Sequence, residues 1–179
     1  MSDEGHILAW RNLEEDSAGF IEGHGDEECR KAAAKAMSLL LQQDRTKKNL
    51  MDRLYRGGFS ERASEYALQY VMHFGYVDDL RYAQNYISCH KGHRSQKELR
   101  YKLLERGVPQ EIISEAFLGY EEEEERDALR KVLGKRLKGR HLSGLDYPAR
   151  EKITAYLVRK GYPLSKVRAV MREWTEEEV

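Results

Sequence analysis

A chain of 179 residues with 31 Lys/Arg balanced against 31 Asp/Glu suits one ordinary domain or a row of small units, and buries about two-thirds of its unfolded surface on folding. Charged residues make up 35% of it and the mean hydropathy is -0.78, which fits an elongated helical protein better than a compact enzyme. No stretch approaches the roughly 20 apolar residues of a membrane span, the first 30 residues lack a basic segment followed by an apolar one, and two cysteines are too few for a disulfide scaffold, so the expectation is a cytoplasmic protein with no membrane contact.

Residues 1–28 come first, with nine acids against the single base Arg11, a net charge of −8. Apart from a weak strand pattern over Trp10–Ile21, they read as an acidic N-terminal extension compatible with disorder.

Residues 29–75 read as a first three-helix repeat. A helix over about 30–43 carries Ala36, Leu39 and Leu40; a second carries Leu50 and Leu54 and runs into Gly58-Phe59; a third starts at Ser60 and carries Ala67-Leu68 and Val71. Residues 76–120 repeat the pattern, with Leu80, Ala83 and Ile87, then Leu99 and Leu103 running into Gly107-Val108, then Pro109 followed by Ala116-Phe117 and Tyr120. Residues 121–179 repeat it again, with Leu129, Val132 and Leu133, a loop over Gly139–Tyr147 suited to a hinge, Ile153 and Leu157 running into Gly161-Tyr162, then Pro163 with Val170-Met171 and Trp174. Apolar residues four apart mark one helix face, and a glycine four later marks the left-handed residue that closes a helix. Ser60, Pro109 and Pro163 are start signals, a capping hydroxyl or a first-turn proline. The fold class is therefore all-α, three tandem three-helix repeats forming an elongated curved array of either hand.

Chemistry is hard to assemble on this scaffold. Cys89, His90 and His93 approach a metal cluster but lack a second Cys/His pair at zinc spacing, and Cys89 reads more simply as a small buried residue near a helix end than as a nucleophile. Asp78-Asp79, adjacent on a helix, point apart, and one of them is placed to cap it. Glu121–Glu125 read as a solvated first turn at the positive end of a helix dipole. With no phosphate-binding glycine loop, no catalytic residue, metal or cofactor is expected.

Cations are another matter. Arg126 to Arg172 carries fourteen Lys/Arg against three acids, a net of +11, and Lys91, Arg94, Lys97 and Arg100 surround a Leu99-Leu103-Leu104 stripe. Such groups suit phosphates or carboxylates. Tyr82, Tyr86 and Tyr101 lie near enough in sequence to stack on bases, though core packing is the commoner use of such tyrosines.

Gly75-Tyr76-Val77-Asp78-Asp79-x-Arg81-Tyr82-Ala83, then Gly92-His93-Arg94-Ser95, Glu98-Leu99 and Arg106-Gly107-Val108 resemble the signature of the RecX family, bacterial regulators of the RecA recombinase. The resemblance runs from about residue 32 to 174 and is most specific in the middle repeat, where Gly75, Asp78, Asp79, Gly92, Leu99 and Gly107 are its structural positions. In the first repeat Lys48-Asn49-Leu50 replaces the expected Glu-Leu pair, and residues 1–28 match nothing in the family. The resemblance implies a monomeric clamp lying in the groove of the RecA–DNA filament, limiting ATP hydrolysis and strand exchange in homologous recombination and the SOS response. It implies further that Arg81, Lys91, Arg94, Lys97, Arg100, Arg130, Lys131, Lys135, Arg136 and Arg140 face acidic protein surface or the phosphates of single- or double-stranded DNA. An independent helical DNA-binding protein of helix-turn-helix type is the alternative.

Overall fold

The computed structural model describes residues 26–177, and Trp10–Ile21 lies outside them. The described residues form nine α-helices and no strand: α1 Glu27–Gln42, α2 Lys47–Arg56, α3 Glu61–His73, α4 Asp79–His90, α5 Gln96–Glu105, α6 Gln110–Ala116, α7 Glu122–Leu137, α8 Tyr147–Arg159 and α9 Leu164–Glu177. The chain divides into two compact units, one ending at Val77 and one beginning at Asp78.

In the first unit α1, α2 and α3 enclose one core. Alanines line it from α1 (Ala32, Ala36) and α3 (Ala63, Ala67), letting the two backbones approach, while Leu50 and Leu54 of α2 are fully buried. Burial of each leucine stabilises the group by roughly 2 kcal/mol. Asp26 caps α1 by accepting the Cys29 N–H at 3.0 Å. Glu28 reaches the start of α3, where its carboxylate accepts the Ser60 N–H at 2.7 Å and the Ser60 hydroxyl at 2.9 Å. Asp26 to Glu28, counted with the acidic extension in sequence, therefore serve the first helix group.

The second unit holds two further cores. Helices α4 to α6 bury Ala83, Ile87, Leu99, Leu103, Val108, Ile113 and Phe117. Helices α7 to α9 bury Leu129, Leu133, Leu137, Leu142, Ile153, Leu157, Tyr162, Val167 and Val170. Leu104 does not share the Leu99-Leu103 stripe: it is 45% exposed, because a step of one residue turns a helix by about 100°. The Gly139–Tyr147 loop is pinned rather than hinge-like. Its Leu142 is buried in the core, and the Arg150 guanidinium donates to the carbonyls of Leu145 and Ser143 at 3.0 and 2.9 Å.

One closing device recurs. After α2, α3, α5 and α8 a glycine takes positive φ (Gly58 84°, Gly75 68°, Gly107 81°, Gly161 94°). In each case the next N–H reaches back to the last helical turn: Phe59 to Leu54, Tyr76 to Val71, Val108 to Leu103 and Tyr162 to Leu157. The residue after the glycine is apolar, and Val108 and Tyr162 are buried by this turn. Pro109 and Pro163 sit at the cap position rather than inside the first turn, their carbonyls accepting from Ile113 and Val167. A cap needs only its carbonyl, so the missing proline N–H is not lost from the helix.

Candidate basic interface

The carboxylate of Asp78 starts α4 by accepting the N–H groups of Leu80 and Arg81 at 2.8 and 3.0 Å, while Asp79, beside it, is buried. At the far end of the helix the His90 ring stacks on Tyr86, centroids 4.2 Å apart, with its Nδ1 2.8 Å from the Tyr86 carbonyl. Lys91 closes α4, and a turn through Gly92, His93 and Arg94 leads to Ser95, whose hydroxyl caps α5 by accepting the Glu98 N–H at 3.1 Å.

Helix α7 brings a second set of cations to this turn. A Cβ placed on Gly92 would lie 3.9 Å from the Lys131 ammonium. His93, 5.7 Å from His90 between ring centroids, is held below the ordinary imidazole range by partial desolvation and then by the charges of Arg94, His90 and Lys135. Among the described residues carboxylates answer two of these cations: Lys91 is paired with Glu124, and Arg94 with Glu98 at 3.2 Å. Lys131 and Lys135 are exposed and have no carboxylate partner among the described residues. The turn and α7 thus form a patch with a surplus of positive charge.

Other cations named from sequence are spread over different faces. Arg81 is exposed in the first turn of α4. Arg100 lies over the Phe117 ring at 4.2 Å, a packing contact as much as an electrostatic one. Arg130 turns toward α9, between Glu173, Glu177 and the Trp174 ring. Arg136 turns toward α8 and lies 4.8 Å from the Tyr156 centroid, while Arg140 folds back to the Leu137 carbonyl at 3.2 Å. Of the three tyrosines, Tyr86 is buried beneath His90 and Arg106, Tyr82 packs partly against the core, and Tyr101 is 59% exposed.

Lys97 opens onto a groove of about 570 Å³ bordered by Tyr101, Tyr156, Arg159, Lys160 and Gly161. Arg159 and Lys160 adjoin it because the α8–α9 turn is pressed onto the start of α5. The Ser95 hydroxyl donates to the Lys160 carbonyl at 2.7 Å, and a Cβ on Gly161 would stand 2.5 Å from the Ser95 Oγ. Sequence reading attached no role to either cation, and nothing in their spacing relates them to α5.

Glu125 was expected in a solvated turn, but it is only 5% exposed. Its carboxylate accepts the Gln96 N–H at 3.1 Å and the Lys166 ammonium at 2.9 Å, joining α5, α7 and α9. Burial, and then Glu125 itself, push the neighbouring Tyr120 phenol up to about 12, and Tyr162 is pushed up for the same two reasons. Both phenols therefore stay neutral. The sequence did carry a signal for Glu125, since it lies four residues before Leu129 and eight before Leu133, on the apolar face of α7.

Cys89 is exposed rather than buried; Cys29 is the buried cysteine. Among the described residues no group of three or more His, Cys, Asp or Glu side chains is gathered as metal ligands would be, and no helix is long and apolar enough to cross a membrane.

Residues 78–116, which include the turn and its cap, match the family model described as RecX, second three-helix domain. The chain is 26% identical over 146 residues to the regulatory protein RecX of Clostridium botulinum, covering 81% of this chain and 68% of that protein. It is 29% identical over 153 residues to the regulatory protein RecX of Chlorobium phaeobacteroides, covering 82% and 95%. The fold is similar to that of the crystal structure of RecX from Lactobacillus salivarius, with a TM-score of 0.73 over 83% of this chain and 97% of that one, at 19% identity.

Proposed function

Because the chain belongs to the RecX family of regulatory proteins, we propose that it binds the RecA–DNA filament and lowers its ATPase and strand-exchange activity in homologous recombination and the SOS response. The observation that carries this reading is the surplus of positive charge at the α4–α5 turn and α7, within and beside the residues matched by the family model. A surface with more cations than carboxylates binds a polyanion or an acidic protein face, and it does so through many weak contacts rather than one deep pocket. Regulation then needs no chemistry from this protein. A ligand that prefers one assembled state over another shifts the population by the difference in its affinities. The protein acts as a cytoplasmic monomer, with Arg81, Lys97, Arg100, Arg130, Arg136 and Arg140 as contacts on other faces and the Lys131–Lys135 edge as the principal one.

The test is the single-stranded-DNA-dependent ATPase of RecA, titrated with this protein and with the Lys131→Glu/Lys135→Glu variant. These two lysines are chosen because no carboxylate among the described residues depends on them for charge, so reversal disturbs the surface and not the core. Inhibition by the parent and its loss in a variant with unchanged helical content supports the reading. Absence of any effect on RecA, with DNA binding retained, moves the function to that of an independent helical DNA-binding protein.

A further inference from the structure

The geometry points to His93 as a proton-linked contact, through which this patch takes up a hydrogen ion when a single nucleic-acid strand lies on it. The inference rests on the proposed role of the patch in binding phosphates and goes beyond it by assigning a residue and a linkage.

His93 stands exposed at the top of the α4–α5 turn, and the groups around it come from three helices. Helix α4 contributes His90 and Lys91, α5 contributes Arg94 and Glu98, and α7 contributes Lys131, Lys135 and Glu124. Glu124 and Glu98 are committed to Lys91 and Arg94, so the residual field at His93 is positive. Partial desolvation, and then that field, hold the free imidazole below its usual range and so leave it largely neutral near pH 7.

A phosphodiester strand laid across Lys131 and Lys135 reverses the sign of the field. These lysines are four apart on α7, on one helix face about 6 Å apart along the axis, so a strand that touches both passes the turn that carries His93. Negative charge beside the imidazole favours its protonated form and raises its pKa in the complex. A group whose pKa is higher bound than free takes up a proton on binding. Affinity therefore increases as pH falls through the bound value and levels off below the free value. A rise of about one unit in that pKa on binding corresponds to roughly tenfold in affinity across the window.

The experiment is isothermal calorimetry of the full chain with an oligothymidylate of about 30 nucleotides, at fixed ionic strength, in two buffers of different ionisation enthalpy. The difference in apparent enthalpy between buffers reads the protons taken up directly. Uptake at neutral pH, lost in His93→Gln and kept in His73→Gln, is the expected result. Binding without uptake, or uptake that survives His93→Gln, overturns the inference and leaves the proposed function standing. Failure of the strand to bind at any pH overturns the inference together with the phosphate-binding part of that function. Uptake with polyglutamate but not with the oligonucleotide overturns it in favour of an acidic protein ligand.

Discussion

Gly161 carries two constraints in one residue. Its φ is +94°, and a Cβ there would meet the Ser95 Oγ at 2.5 Å and the Lys97 Cβ at 3.1 Å. Gly139, in the same three-helix group, has φ +79° but open space around the missing Cβ. Gly139→Ala is therefore expected to cost about 1 kcal/mol, the strain of a left-handed alanine. Gly161→Ala is expected to cost roughly 2–4 kcal/mol, strain plus displacement of the buried Ser95 contact. Urea unfolding of the two variants measures the difference, and equal costs would show that the α8–α9 turn is free to move off α5. The left-handed role of Gly161 was legible in sequence, because helix closure is local and follows from glycine lacking a Cβ. Its close approach to Ser95 was not, since the two residues are distant in sequence and nothing local relates them. Glu125 shows a related division: its helical phase carried an inward signal that the solvated-turn reading passed over, and its partners Gln96 and Lys166 come from other helices, where no local signal reaches.

Adjacent leucines on α5 divide into two structural roles. Leu103 is fully buried among Ala83, Ile87 and Leu99, whereas Leu104 is 45% exposed. Truncating a buried leucine removes its transfer energy and leaves a cavity, so Leu103→Ala is expected to cost about 2–5 kcal/mol and Leu104→Ala under about 1 kcal/mol. Thermal or urea denaturation followed by circular dichroism distinguishes the two, and a large loss at Leu104 would mean that its face is covered. The helices themselves were legible because apolar spacing, capping residues and closing glycines agree in all three groups. Leu103, one turn on from Leu99, follows the apolar face, whereas Leu104, about a further 100° round, leaves it, and grouping the two in one stripe overlooked that step. The loop after α7 was misread for another reason. Its Gly and Asp content suggests freedom, yet one apolar residue, Leu142, anchors it in the core, and Arg150 satisfies two of its carbonyls.

At the scale of the whole chain a net charge of zero conceals two opposed populations. Residues 1–25 hold six acids and one base, so residues 26–179 together carry +5. A polyanion approaching from a distance meets the sum, because fields from separated charges add until salt screens them beyond about 10 Å at 0.1 M. On the proposed phosphate-binding reading, the acidic segment weakens non-specific attraction of nucleic acid by its charge wherever it lies within the screening length. Removing residues 1–25 leaves Asp26 in place to cap α1 and so spares the first helix group. The truncated chain is expected to bind a single-stranded oligonucleotide several-fold more tightly than the full chain at low salt, with the gap closing as salt rises. A filter-binding or fluorescence titration across a salt series measures it. A constant gap at all salt concentrations would mean that the segment covers the binding surface by contact instead of acting through its field, and no gap at low salt would mean that its charge does not reach that surface.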